Sequence, residues 1–333
     1  MIPYIIKRIL TIIPIVFVIS LITFSIIQLP PGDYATVYIS QLREEGQRLS
    51  TAEISKIRED LGLDQPTIVQ YGKWISGIVL RGDFGYSFGW NMKVTALIGD
   101  RIFLTVVVAM TTLIFSYMVA VPIGIYSATH QYTPGDYAAT FFGFIGLATP
   151  NFLLGLIIMY LLYRYFGLSV GGLFSPEFVG APFSLAKLID FIKHLFVPVI
   201  VIGTASVAGL LRVVRANLLD ELEKQYVITA RSKGVGEKKL LYKYPIRAAM
   251  NPVVSSIGWV LPALFSGSTV TAIVLNLPTV GTLLMGALMA QDMYLAGSLL
   301  FIMACLTVVG TLVSDILLAW LDPRIRLEGK GSR

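Results

Sequence analysis

Six apolar stretches, each long enough to cross a bilayer, constrain this chain more than any other feature: residues 9–29, 102–127, 137–163, 195–211, 253–277 and 299–321. A helix rises about 1.5 Å per residue and the hydrocarbon core is about 30 Å thick, so about 20 apolar residues suffice to span it. Only 14% of the residues are charged while 55% are hydrophobic, and mean hydropathy is +0.75. A soluble domain carries about 25% charged residues. The predicted class is therefore an all-α integral membrane protein with six transmembrane helices. Lys7 and Arg8 precede the first stretch as they would in a secretory signal. Its apolar part is too long for a signal core, and no small-residue cleavage site follows, so it reads as a retained helix.

The net charge of +6 and the pI near 9.3 would suggest nucleic acid as partner of a soluble protein. In a membrane protein the positive-inside rule accounts for them without it. Residues 212–252 hold Arg212, Arg215, Lys224, Arg231, Lys233, Lys238, Lys239, Lys243 and Arg247, and the tail adds Arg324, Arg326, Lys330 and Arg333. The segment 278–298 has neither Lys nor Arg. Both termini are thus predicted to be cytoplasmic. The chain divides into an N-terminal segment with helix one (1–29), an extracytoplasmic insertion (30–101) and a core (102–333) that carries a cytoplasmic helix-turn-helix at 212–252, between helices four and five.

The insertion has local order. Ser50 and Glu53 form a capping-box pattern, Ile54, Ile57 and Leu61 share a face, and Gly62 marks a helix end. A second helix is expected from Pro66, with Val69, Trp74 and Ile78 as its stripe, before the turn-rich Arg81-Gly82-Asp83-Phe84-Gly85-Tyr86-Ser87. In 212–252 a helical pattern through Tyr226, Val227, Ala230 and Arg231 breaks at Gly234 and Gly236, and a short helix through Leu240, Leu241 and Tyr242 ends before Pro245. Residue pattern alone leaves two roles open for this elbow: contact with anionic lipid headgroups, or docking of a protein.

Chemistry is sparse. The apolar stretches hold no Lys, Arg, Glu or His in their interiors, whereas ion-coupled carriers place ionisable groups there. Asp315, near one end of the last stretch, is read either as half of an interfacial ion pair or as a gating group. His130 and His194 have no carboxylate or thiol cluster in sequence, Cys305 is the single cysteine, and Gly234-Val235-Gly236-Glu237-Lys238-Lys239 lacks phosphate-loop spacing. No metal, catalytic or ATP site is predicted. Small residues recur at helical spacing, with Ala139, Gly143, Gly146 and Pro150 in helix three and Gly258, Pro262, Ser266 and Thr269 in helix five. Such faces serve either close helix packing or the lining of a solute path. Pro150 and Pro262 remove internal hydrogen bonds and can bend their helices.

Several segments together resemble one family, the permeases of binding-protein-dependent ABC importers in the peptide/nickel branch. They are Tyr4-Ile5-Ile6-Lys7-Arg8, Pro31-Gly32-Asp33, Leu61-Gly62-Leu63-Asp64-Gln65-Pro66, Gln70-Tyr71, Trp74, Gly82 to Ser87, Ala148-Thr149-Pro150-Asn151-Phe152 and Asp322-Pro323-Arg324-Ile325-Arg326. Tyr226-Val227-Ile228-Thr229-Ala230-Arg231-Ser232-Lys233-Gly234 is similar to that family's coupling loop, with Ile228 and Thr229 where the general motif has Glu and Ala. The resemblance implies that Tyr226, Ala230, Arg231, Lys233, Gly234 and Glu237 belong to an ATPase-coupling loop. It also implies a translocation path for a peptide or oligosaccharide, with Gly146, Pro150, Gly258, Pro262, Ser266 and Thr269 as candidates to line it. The implied partners are a second homologous permease (a heterodimer), two ATP-binding subunits carrying the ATP and magnesium, and an extracytoplasmic substrate-binding protein, all at a bacterial or archaeal inner membrane. A self-sufficient channel or secondary transporter, and an intramembrane enzyme, are the competing readings.

Overall fold

The computed structural model describes residues 2–29, 34–44, 46, 50–60, 63–87, 89–168 and 170–321. The motif positions 31–33, 61–62 and 322–326 and the basic tail lie outside the described residues. The elements in chain order are α1 (Ile2–Gln28), α2 (Tyr34–Glu44), α3 (Thr51–Asp60), α4 (Thr67–Arg81), β1 (Tyr86–Ser87), β2 (Met92–Lys93), α5 (Val94–Thr129), α6 (Pro134–Ala148), α7 (Asn151–Phe166) and α8 (Leu185–Leu222). They continue with α9 (Gln225–Ser232), α10 (Glu237–Lys243), α11 (Pro245–Ser255), α12 (Ile257–Gly267), α13 (Thr269–Val274), α14 (Val280–Met289) and α15 (Met293–Leu321). Among the described residues, five helical segments are long and apolar enough to cross a membrane, and six when the bent pair α6–α7 is counted as one span. The chain forms two compact units, 10–105 with 278–306, and 1–9 with 106–277 and 307–333.

The first unit holds the insertion. The Ser50 amide donates to Glu53 Oε2 at 2.7 Å and the Glu53 amide donates to Ser50 Oγ at 3.3 Å, so the capping box forms as its spacing predicts. The bond from the Ser50 amide holds the Glu53 carboxyl below its usual range. α4 turns Trp74 and Ile78 inward as expected: Trp74 is buried, with Tyr71, Ile75 and Ile78 half-buried beside it, against Phe24 of α1 and Phe301 of α15, while Val69 of the expected stripe is exposed. Val69 is five residues from Trp74, about 140° away around a helix of 3.6 residues per turn. Gly82, at φ +62°, closes α4 by donating to the Ile78 carbonyl while Asp83 donates to that of Gly77. The hairpin pairs Tyr86 with Lys93 and Ser87 with Met92. It is held by the buried Asp292, whose carboxylate accepts from Ser87 Oγ at 2.6 Å and from the Leu295 amide at 3.0 Å. α14 lies within the segment 278–298, between the fifth and sixth apolar stretches. Its start is a capping box of two threonines, Thr279 and Thr282.

The second unit is built around α8. This helix runs far beyond the apolar stretch 195–211, from a Ser184 N-cap whose side chain accepts from the Lys187 amide to Leu222. α5 and α6 approach α8 through glycine. A Cβ on Gly124 would fall 2.7 Å from Val214, one on Gly203 would fall 2.9 Å from Phe115, and one on Gly146 would fall 3.0 Å from Thr204. The third apolar stretch is two helices bent by 105°, with Thr149 extended and Pro150 at the start of α7. Proline lacks an N–H and pushes its predecessor out of the helical region. The fifth stretch is also divided, but at Ser256 and Ser268 rather than at Pro262, which lies inside α12. Ser256 Oγ donates to the Val253 carbonyl at 2.6 Å and Ser268 Oγ to that of Leu264 at 2.8 Å.

Removing the Trp74 side chain should empty the centre of the aromatic cluster, where its ring lies 5.7 Å from those of Phe24 and Phe301. Trp74→Ala should cost about 3–5 kcal/mol. Thermal unfolding in detergent should report the loss, and amide exchange should rise first in α4.

Candidate functional site: the α9–α10 elbow

α8 leaves its last turn through Glu221. The Lys224 Nζ donates to the Glu221 carboxylate at 2.5 Å, and the Tyr226 hydroxyl donates to its other oxygen. Burial, reinforced by the nearby carboxylate, pushes the Tyr226 hydroxyl up to about 12, so it remains a donor at any ordinary pH. This bond ties the first turn of α9 to the end of α8. α9 and α10 then fold onto each other around Val227, Ala230 and Leu240, with Val235 and Tyr244 half-buried beside them. Ala230 is enclosed within the elbow, so its small side chain serves the packing of α9 on α10.

The turn needs glycine for a conformational reason. Gly234 has φ +77°, and a Cβ there would meet nothing within 4 Å, so the requirement is the left-handed backbone and not space. Its amide donates to the Arg231 carbonyl at 3.0 Å and that of Val235 to the Ala230 carbonyl at 3.3 Å, satisfying the end of α9. Arg231 reaches across the turn to Glu237 through two bonds of 2.7 and 3.3 Å. Both side chains are exposed, and the carboxylate raises the Arg231 guanidinium further above its usual value. Tyr226, Ile228, Lys233, Gly234, Lys238, Lys239 and Tyr242 form the outward surface of the elbow.

The candidate path residues divide by environment. Gly146 is buried against Thr204 and Ala208, and a Cβ on Gly258 would fall 2.9 Å from Ser314 Oγ. Both sit where helices touch. Pro150 is exposed at the α6–α7 bend. Pro262 is half-buried, and its carbonyl accepts from Ser266 Oγ at 3.1 Å. Ser266 is exposed on a face of α12 and α13 that also presents Trp259, Ala263, Val270 and Ile273, while Val260, Leu261, Leu264 and Phe265 of the opposite face are buried. Thr269 is half-buried beside that face. Asp315 pairs with Arg8 at 3.3 Å.

The chain matches the family described as binding-protein-dependent transport system inner membrane component over residues 120–327, and the N-terminal region of such components over residues 1–109. The chain belongs to this family. It is 37% identical over 97% of its length to the oligopeptide transport system permease protein AppB of Bacillus subtilis, 98% of which is covered. It is 28% identical over 98% of its length to the dipeptide transport system permease protein DppB of Alkalihalophilus pseudofirmus, 100% of which is covered. It is thus a multi-pass inner-membrane permease and not an enzyme, of a family that works with ATP-binding subunits and a substrate-binding protein.

One cluster of this permease escaped sequence reasoning. Asp136, 3% exposed, accepts from Arg215 Nε at 3.0 Å and from Nη2 at 2.9 Å. Ser127 Oγ also donates to it, and the Tyr132 amide donates at 3.0 Å. The available signal was a charge at the edge of two apolar stretches, Asp136 just before residue 137 and Arg215 just after residue 211.

The elbow's buried and exposed pairs should respond differently to truncation. Leu240→Ala removes a fully buried side chain and should cost about 2–5 kcal/mol of local stability. Arg231→Ala breaks an exposed pair that solvent screens, so it should change stability little. Amide exchange across residues 225–243 should rise sharply in the first variant and little in the second.

Proposed function

We propose that this permease is one half of the translocation path of an ATP-driven peptide importer, and that an ATP-binding subunit engages the α9–α10 elbow. The observation that carries the reading is the elbow itself: a self-packed pair of short helices, tied to α8 by Tyr226 and Glu221, that presents an exposed surface around a left-handed glycine. Such a body can pass a push to α8 and α11 without unfolding. Tyr226, Arg231, Lys233, Gly234 and Glu237 stand on or beside the docking surface in this reading, and Ala230 holds it together.

A peptide is the substrate class that the relatives' names support. The second half is a homologous permease, most simply a different chain, and a binding protein delivers the solute from the opposite side. The basic excess of 212–252 supports placing the elbow and both termini in the cytoplasm. ATP and magnesium belong to the partner subunits. The exposed face of α12 and α13 with Ser266 supports a path or permease–permease surface there, and Arg8 with Asp315 reads as an interfacial pair.

Reconstituted with its partner subunits, the complex should take up peptide only with ATP and binding protein. Solute flux through this chain alone, without ATP, would instead make it a channel or secondary carrier. Gly234→Leu should weaken binding of the ATP-binding subunit and abolish uptake while leaving membrane insertion intact. Cysteine at Ser266 should react with a hydrophilic thiol reagent at a rate that changes with the nucleotide state; uniform inertness would make this face a packing surface.

A further inference from the structure

Arg215 lies two turns before the end of α8, between the elbow and the glycine contacts that join α8 to α5 and α6. One turn further along, Leu218 is fully buried with Ala128 of α5 and Ala249 of α11, and Leu219, Leu222 and Ile246 pack around them. α8 therefore receives the elbow twice, through its own Glu221, which accepts from Tyr226 at the start of α9, and through α11 beyond α10. The partner of Arg215 is on neither of these. Asp136 stands in the first turn of α6, behind a Thr133 N-cap and Pro134. α6 is the first arm of the 105° bend whose second arm is α7.

The pair fixes orientation as well as distance. Two parallel bonds between a guanidinium and a carboxylate hold both planes, which a lysine would not do. Ser127 of α5 joins the same carboxylate and also accepts from Arg215 Nε at 3.0 Å, so three helices meet at one charge. The connection between α5 and α6 is drawn in too: Tyr132, held at φ +61°, donates its amide to Asp136 Oδ2. Gly135 permits the close approach, since a Cβ there would collide with the Tyr126 hydroxyl and ring. A carboxylate this enclosed, with every bond aimed at its charge, is a costly arrangement where apolar packing alone would hold helices together.

We propose that Asp136 and Arg215 are positioning residues for ATP-driven transport: their bidentate pair makes α6 follow α8 when the elbow is displaced, so that the α6–α7 bend moves with the ATP-binding subunit. This rests on the function proposed above. The pair touches neither solute nor nucleotide and acts through α6.

The test is the ratio of peptide taken up to ATP hydrolysed, in the full complex reconstituted in liposomes with its binding protein. Asp136→Asn keeps the side-chain shape and the Ser127 partner while removing the charge. It should leave subunit assembly and ATP hydrolysis within about twofold of the unaltered complex and lower the uptake-to-hydrolysis ratio at least tenfold. Arg215→Lys, which keeps the charge and loses the fork, should lower the ratio to an intermediate degree. The double variant Asp136→Asn with Arg215→Gln should be no worse than Asp136→Asn, because the two residues act as one unit. A purely structural staple would lower assembly, hydrolysis and uptake together and leave the ratio unchanged; that result, in either single variant, overturns the proposal. If Asp136→Asn does not assemble, the ratio in Arg215→Lys decides. Failure of the function itself is separately visible, as ATP-independent uptake by the unaltered complex.

Discussion

Hydrocarbon holds no water to accept an N–H or to donate to a carbonyl, so every interruption of a spanning helix must be satisfied from within the protein. The three interruptions in the unit built on α8 each meet this demand with a different device. At Pro150 the missing N–H removes the donor, and the Thr149 amide still reaches the Ile145 carbonyl at 2.9 Å. At Ser268 the side chain folds back on the preceding turn. At Ser256 the device is shared: Tyr117 of α5 lies 2.7 Å from the serine hydroxyl and donates to the Val253 carbonyl at 3.1 Å. α5 thus braces the point where α11 gives way to α12.

These breaks contrast with the continuity of α8, which has an internal Pro198 and yet stays one helix over 38 residues. Glycine-lined contacts hold α5 and α6 against it, and small residues at a helix interface let backbones approach closely enough for dispersion to act over a long seam. The unit therefore combines two long continuous helices, α5 and α8, with shorter ones that break at fixed points. That combination suits a body that must move as a whole at one end and change shape at the other.

Much of this was legible in the residues. Ser50 with Glu53, the elbow helices on either side of Gly234, and the bend at Pro150 all follow from local rules, because each depends on residues within a few positions of one another. What was not legible depends on partners far along the chain or on competition between near-equal states. Asp136 and Arg215 are 79 positions apart, and nothing in the period of either helix announces the other. The stripe of α4 was read correctly at Trp74 and Ile78 but not at Val69, because Val69 is apolar as they are and only packing against Phe24 and Phe301 selects Tyr71 and Ile75 as Trp74's companions. Pro262 looked like the hinge of the fifth stretch and Ser256 did not, since a serine reveals whether it turns back on its own helix only once its neighbours are in place. α14 was hidden by its position in a segment without Lys or Arg, where apolar character fits a loop against the membrane as well as a short helix.

The charged groups of the second unit are distributed by how much water each can reach. The exposed Arg231–Glu237 pair is screened and contributes little, so its place across the turn matters more for shape than for stability. Arg8 with Asp315 is intermediate, with the carboxylate three-quarters covered. Asp136 with Arg215 has the most enclosed carboxylate of these, and there the geometry is bidentate and supported by two further donors. As water is withdrawn, an ion pair stops being a loose attraction and becomes a directional joint, because losing the alignment would leave an unsolvated charge. Of these three pairs, the joint that tolerates least misalignment is the one between α6 and α8, whereas the elbow's own pair sits where slack does no harm.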